Sequence, residues 1–193
     1  PYCPFTESPG EEWSAPDMAR AKELVDASGT KGQKVTIIST NDETTKAIDL
    51  YFVSLLRELG YDAGIKSLNG GVQYAYVQDS SNKAQMSYSY WFADYPAGSN
   101  FFNSVVGCAG FVPNSTSSPN LAGFCDPAIQ AKTEAALKTE TTDRDAANEM
   151  WAEIDKETTD AAPWVSLFVA NRLDFVSERV GNYKFNPAST GGF

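Results

Sequence analysis

Apolar positions along the first half of the 193-residue chain alternate between a helical rhythm and short β-rich runs. Met18, Ala21, Leu24 and Val25 recur at helical spacing, Ser14 ahead of Pro16 and Asp17 reads as the N-cap, and Gly29 is the stop. Residues 35–39 form a β-branched run and predict a strand. From 42 to 59 the spacing is helical again. Ile48, Phe52, Leu55, Leu56 and Leu59 make one apolar stripe, and Gly60 ends it. Residues 61–68 predict a second strand, followed by the Asn69-Gly70-Gly71 turn and a weak helix through Tyr74 and Val77. Residues 84–93 predict a third strand. This β-α-β-α-β order predicts an α/β fold with an open mixed sheet flanked by helices.

The second half is helical and then extended. A helix is expected over 126–137, and Thr142 opens another, with Asp145 as its capping-box partner. Ala147, Met150, Trp151, Ile154 and Thr158 form its apolar stripe. Two late strands are expected at 164–170 and 173–177, ahead of a Gly- and Pro-bearing coil. Residues 1–13 are Pro-rich and irregular.

Charge narrows the possible functions. Fifteen Lys and Arg against 25 Asp and Glu leave a net charge of −10, which disfavours nucleic acid and anionic membrane surfaces as partners. The chain has no histidine, which removes His-based triads, His-metal sites and any imidazole base. Neither a transmembrane-length apolar run nor a signal peptide is present in the sequence. The opening Pro1-Tyr2-Cys3-Pro4, without methionine, reads as a processed product or a piece of something longer.

Cys108 and Cys125 bracket a loop rich in Pro, Ser, Asn and Gly. A disulfide closing it would contribute about 3 kcal/mol by restricting the unfolded chain. Three reduced cysteines in a cytosolic protein is the competing reading. Zinc fits poorly, because no C-x-x-C pair or histidine completes four ligands. Cys3 is left over, which points to a partner outside the chain or a free thiol.

Phosphate loops, a nucleophile elbow and an EF-hand pattern are all absent from the sequence. Nine acidic and three basic residues lie between Glu134 and Asp160, at positions that read as a solvated helical face. Asn114-Ser115-Thr116 fits a glycosylation acceptor, a triplet common by chance. The informative stretch is 88–102, Tyr-Ser-Tyr-Trp-Phe-Ala-Asp-Tyr-Pro-Ala-Gly-Ser-Asn-Phe-Phe. An aromatic strand ends in Asp94, and open α/β sheets collect ligands at the carboxyl ends of their strands. An acid among aromatics suits a cation such as an amine. The competing reading makes Asp94 a turn or capping residue and the aromatics core. Strand alternation separates Tyr88, Tyr90 and Phe92 from Ser89 and Trp91, so only one set can line a cleft.

Several segments in order resemble the bacterial extracellular solute-binding proteins of family 5, the peptide-binding components of ABC importers. Residues 21–29, AKELVDASG, are similar to the family's A-K-x-L-L-x-x-A-G helix, with the 35–39 strand after it. Trp91-Phe92-Ala93-Asp94-Tyr95-Pro96 resembles its W-x-x-D-Y-x motif, and Asn100-Phe101-Phe102 the N-F-F/L that follows. Cys108 and the later Cys125-Asp126-Pro127 resemble its disulfide loop and next helix. Residues 143–163 resemble the helix ending in D-A-P, and Gly181-Asn182-Tyr183 with Asn186-Pro187 the closing G-Y and N-P.

The resemblance implies that residues 1–193 are the C-terminal lobe of a two-lobed, periplasmic-binding-protein-like (type II) clamshell. On that reading 1–13 lead in from a missing N-terminal lobe, whose cysteine pairs with Cys3. It implies a monomeric, non-enzymatic protein without cofactor or metal, outside the cytoplasmic membrane and lipid-anchored when complete. Its partners are a small peptide or similar solute and an ABC permease. Asp94 takes the role of pairing the ligand's α-ammonium, with Trp91, Tyr90, Tyr95 and Asn100 around it. Where peptide binders often carry acids in a D-P-D-N segment, this chain has Ala97-Gly98-Ser99-Asn100, which leaves a nickel complex or a sugar open as the solute. A secreted hydrolase would need paired carboxylates in one cleft, and the sequence points only to Asp94.

Overall fold

The computed structural model describes residues 16–95, 97–168 and 173–184. They fall into two compact units, one of 16–90 with 112–121, the other of 91–111 with 122–184.

The first unit is built on β1 (Lys34–Thr40). It pairs in parallel with β2 (Asp62–Leu68) along its full length and with β3 (Met86–Ser87) at Ile37 and Ile38. The order β2-β1-β3 makes β1 the central strand. Parallel neighbours need crossovers, and the helical segments supply them: α2 (Glu43–Glu58) joins β1 to β2, and α3 (Gly70–Gln78) follows β2. Ahead of the sheet lies α1 (Met18–Ser28), which ends at Gly29 in the left-handed conformation that glycine adopts without cost. Asp17, rather than a more distant residue, accepts from the Arg20 amide and caps α1; Ser14 lies outside the described residues.

Ile37, Val53 and Ala63 form the core here, with Phe52, Leu56, Ile65 and Met86 against it. The buried line of α2 is Thr45, Asp49 and Val53, rotated from the expected stripe of Ile48, Phe52, Leu55, Leu56 and Leu59, which is only half-buried. The cause is the strand beneath. The buried polar Ser39 next to Ile37 and Ile38 meets the polar side of the helix instead of its apolar side.

Among the described residues, the expected strand over 84–93 is seen only at Met86–Ser87, and two glutamine side chains flank it. Gln85 accepts from the Thr36 amide at 2.9 Å and donates to the Lys34 carbonyl at 2.9 Å, so its side chain takes the ladder positions. Buried Gln73 donates to the carbonyls of Ile38 and Tyr88, both at 3.4 Å, and sits between the strands just after β3. Residues 112–121 add an irregular segment to this unit, held by Gln78 donating to Ser118 O at 3.1 Å and the Asn114 amide donating to Ser80 Oγ at 2.9 Å.

The second unit packs α5 (Pro127–Glu140) on α6 (Arg144–Asp160), with the short α4 (Gly98–Ser104) preceding them in the chain. Ala136, Ala147, Trp151 and Ile154 are its core, and the expected α6 stripe is the buried one. Lys132 bridges the two helices to Glu157 and, at 3.6 Å, to Glu153. Thr142 is not the cap of α6. Asp143 accepts from the Ala146 amide instead, one residue later and with a carboxyl acceptor at the positive helix end. Cys108 and Cys125 form a disulfide. No strand is formed at 164–168 or 173–177, so the expected late strands are not seen among the described residues; 169 and 170 lie outside them.

Two expectations follow. Asp49 is fully buried, and neither carboxylate oxygen meets a donor among the described residues, while Ser39 Oγ–H is committed to Thr40 O at 3.0 Å. Burial therefore pushes its pKa upward, with a smaller push from Asp42 and a partial offset from Ser39. Because the folded-state pKa lies above the unfolded one, its contribution is complete below the unfolded pKa and is lost as pH rises through the folded pKa. Urea midpoints should fall as pH rises above the ordinary carboxylate range, and Asp49→Asn should flatten that slope. An identical slope in both proteins would refute this account of Asp49. Exposed Asp42 works the other way. Hydrogen bonds from Thr40 and then Thr45 lower it to about 2, so its contribution is lost only as pH falls toward that value.

Replacing both Cys108 and Cys125 by alanine should lower the unfolding free energy by about 3 kcal/mol, since 17 positions separate them. Paired urea melts with and without reductant measure this, and coincident melts would refute it.

Candidate functional site

All three strands run in the same direction, so the chain after Ser87 leaves from the carboxyl end of the sheet. Residues 88–93 follow β3 in the chain, which then bends at Asp94. Along this run the side chains alternate as a strand's do. Tyr90 and Phe92 are about two-thirds exposed, at 65% and 62%, whereas Trp91 and Ala93 are half-buried. Asp94 and Tyr95 are exposed.

The side chain that organises the bend is Asn100, on the first turn of α4 and only 1% exposed. Its Oδ1 accepts from Trp91 Nε1–H at 2.8 Å and from the Asp94 backbone N–H at 3.2 Å. Its Nδ2 donates to Asp94 Oδ2 at 2.9 Å. Two N–H groups and one carboxylate permit only this orientation of the amide, since the flipped form would set donor against donor. The loop closes with Ala97 N–H to Tyr95 O at 2.9 Å and Asn100 N–H to Ala97 O at 3.1 Å. Asp94 is therefore held at one oxygen. The other, Oδ1, takes no hydrogen bond from the described residues and belongs to an exposed side chain.

Three of the five expected residues, Trp91, Asp94 and Asn100, thus form one hydrogen-bonded group. Tyr95 adjoins it in sequence with its ring 45% exposed. Tyr90 is the last residue of the first unit, where its hydroxyl adds to the burial that raises the pKa of Tyr74. The alternation of residues in 88–93 foreshadowed the split between Tyr90 and Trp91, but no sequence signal showed that the Asn100 amide would be buried. Chemically the group offers one carboxylate oxygen beside an indole and exposed aromatic rings, an arrangement suited to a cationic or amine-bearing solute. Among the described residues no three His, Cys, Asp or Glu side chains converge as metal ligands, and no helix is long and apolar enough to cross a membrane.

Solved structures with the same fold are binding proteins. The periplasmic binding protein DppA from Helicobacter pylori, in complex with the peptide STSA, aligns with a TM-score of 0.68 and 20% identity, over 77% of this chain and 28% of its own. A dipeptide-binding protein from Pseudoalteromonas in complex with Met-Leu gives 0.66 and 20%, over 81% and 30%. The Escherichia coli murein tripeptide binding protein MppA gives 0.64 and 23%, over 82% and 30%. The chain spans less than a third of the length of each. No curated protein sequence matches it. The sequence profile of the bacterial extracellular solute-binding proteins, family 5 (middle), matches residues 2–113, more than half of the chain. The chain belongs to the bacterial extracellular solute-binding proteins of family 5.

Proposed function

We propose that the chain is the C-terminal lobe of a two-lobed extracytoplasmic receptor that binds small peptides and presents them to an ABC permease. The observation that carries this reading is the exposed Asp94 carboxylate, anchored through Oδ2 by Asn100 and open at Oδ1, beside the Trp91 indole. In this reading Oδ1 receives the α-ammonium of the ligand. Asn100 holds the acid still instead of touching the solute, because its amide is buried and already bonded on both atoms. Trp91, fixed by the same amide, borders the ammonium, and Tyr95 offers a ring face to the rest of the ligand.

The missing lobe matters energetically. An exposed ion pair contributes little, and removing water from Asp94 and the ammonium requires a second wall. The peptides bound by the solved relatives support this ligand class, and so does the single acid at the bend, since amine recognition needs one carboxylate and hydrolysis by paired acids needs two. The residues Ala97, Gly98 and Ser99 add no further charge, so this loop adds no second electrostatic anchor for a longer cationic peptide. The remaining solute classes of the family, sugars and nickel complexes, are outcomes of the same test.

In calorimetry on the full-length receptor, Asp94→Asn should weaken binding of Met-Leu about 10- to 100-fold, the usual effect of deleting a charged hydrogen-bond partner. N-acetyl-Met-Leu should bind the unchanged receptor as weakly and lose nothing further in the variant. Equal affinity for free and acetylated peptide would sink the role of Asp94. A shift seen only with a sugar or a nickel chelate would replace the peptide reading. The 193-residue chain alone should show no micromolar binding of Met-Leu, and a measurable micromolar isotherm would refute the need for a second lobe.

A further inference from the structure

We infer that Trp151, on α6, is a positioning residue for the Asp94 site, acting through the glycine face of α4. The inference rests on the proposed role of that site. The seven residues of α4 are too few to hold a helix on their own, and its N-cap Ala97 supplies no side-chain cap. Its place must therefore come from packing. Two contacts with one indole provide it. The Phe102 ring stacks on Trp151 with centroids 5.6 Å apart and planes 4° from parallel. One turn earlier, Gly98 lies so close that an added Cβ would stand 3.3 Å from Trp151 Cγ and Cδ2 and 3.6 Å from Cε3.

Positions 98 and 102 are i and i+4 and share a helix face. Asn100 lies two residues from each and so points to nearly the opposite side, where it bonds Trp91 and Asp94. The indole thus sets the height and tilt of α4 on one face, and the Asn100 amide transmits them to the acid on the other. Trp151 is itself immobilised in the core of the second unit with Ala136, Ala147 and Ile154.

One further feature separates this role from ordinary core filling. Trp151 is 8% exposed, and its buried indole N–H meets no acceptor among the described residues. Phenylalanine would fill the core without burying an unpaired donor. The wide indole plane, however, spans both Gly98 and Phe102, and a phenyl ring is too narrow to lie under both.

The test uses hydrogen exchange followed by NMR on the 193-residue chain, reading the Trp91 indole N–H and the Asn100 side-chain amide. Gly98→Ala should accelerate exchange of the Trp91 indole N–H about tenfold, while backbone amides of α5 keep their rates. Trp151→Phe should do the same, with thermal stability nearly unchanged because the unpaired donor leaves with the lost area. Asn100→Ala marks full loss of protection. Uniform acceleration across α5, α6 and residues 91–104 overturns the inference and makes Trp151 a core residue only; so does unchanged Trp91 protection in both single variants. In the full-length receptor, Trp151→Phe should weaken Met-Leu binding several-fold. If Asp94→Asn leaves that binding intact, the ligand reading fails, while the exchange data still decide the role of Trp151.

Discussion

A buried primary amide has to place both of its polar ends against partners, because no water remains to take them. At Asn100 that requirement shapes the whole of the candidate site. Its oxygen needs donors, and the Trp91 indole and Asp94 amide supply them; its nitrogen needs an acceptor, and the Asp94 carboxylate supplies it. The chain from 91 to 100 must bend to bring these groups to one point. The result is a carboxylate fixed in direction yet exposed, which is the condition under which a single charge can discriminate a ligand. Asp94 would otherwise be an exposed aspartate with free rotamers, able to pair with a cation only at an entropic cost.

Beneath this lies a second constraint, the saturation of β1. A central strand must satisfy backbone groups on both sides, and β2 does so completely on one of them. On the other side only Ile37 and Ile38 meet β3, and side-chain amides take over at both ends, Gln85 before the pairing and Gln73 after it. Glutamine amides mimic a peptide group, so the ladder continues without a strand. The chain leaves β3 at Ser87, and its next seven residues lead to the bend at Asp94.

Much of the architecture was legible because local signals and tertiary packing agreed. The boundaries of β1, β2, α2, α5 and α6 lie within a few residues of their expected positions, and Gly29 ends α1 as its flexibility allows. The disagreements have definite causes. Apolar spacing alone orients α2 on Phe52 and Leu56, but the helix also turns Asp49 inward over the polar Ser39 of β1. Residues 164–168 and 173–177 carry strand-forming side chains, yet no strand is formed at these described residues. At α6 the choice between Thr142 and Asp143 as cap was decided by which side chain reaches the Ala146 amide.

Sequence alone determined the α/β order, the helical stops, the loop closed by Cys108 and Cys125, and the ordered motifs around Asp94 that mark the family. These are encoded locally, in spacing, turn chemistry and short motifs. Tertiary structure decided that Asn100 is buried and doubly engaged, that one oxygen of Asp94 stays open, and that Trp151 lies against Gly98 and Phe102. Residues 98 and 151 are more than fifty positions apart, and no periodicity along the chain records which glycine an indole will meet. Only the packing of α4 against α6 brings them together, because contact depends on where whole elements come to rest.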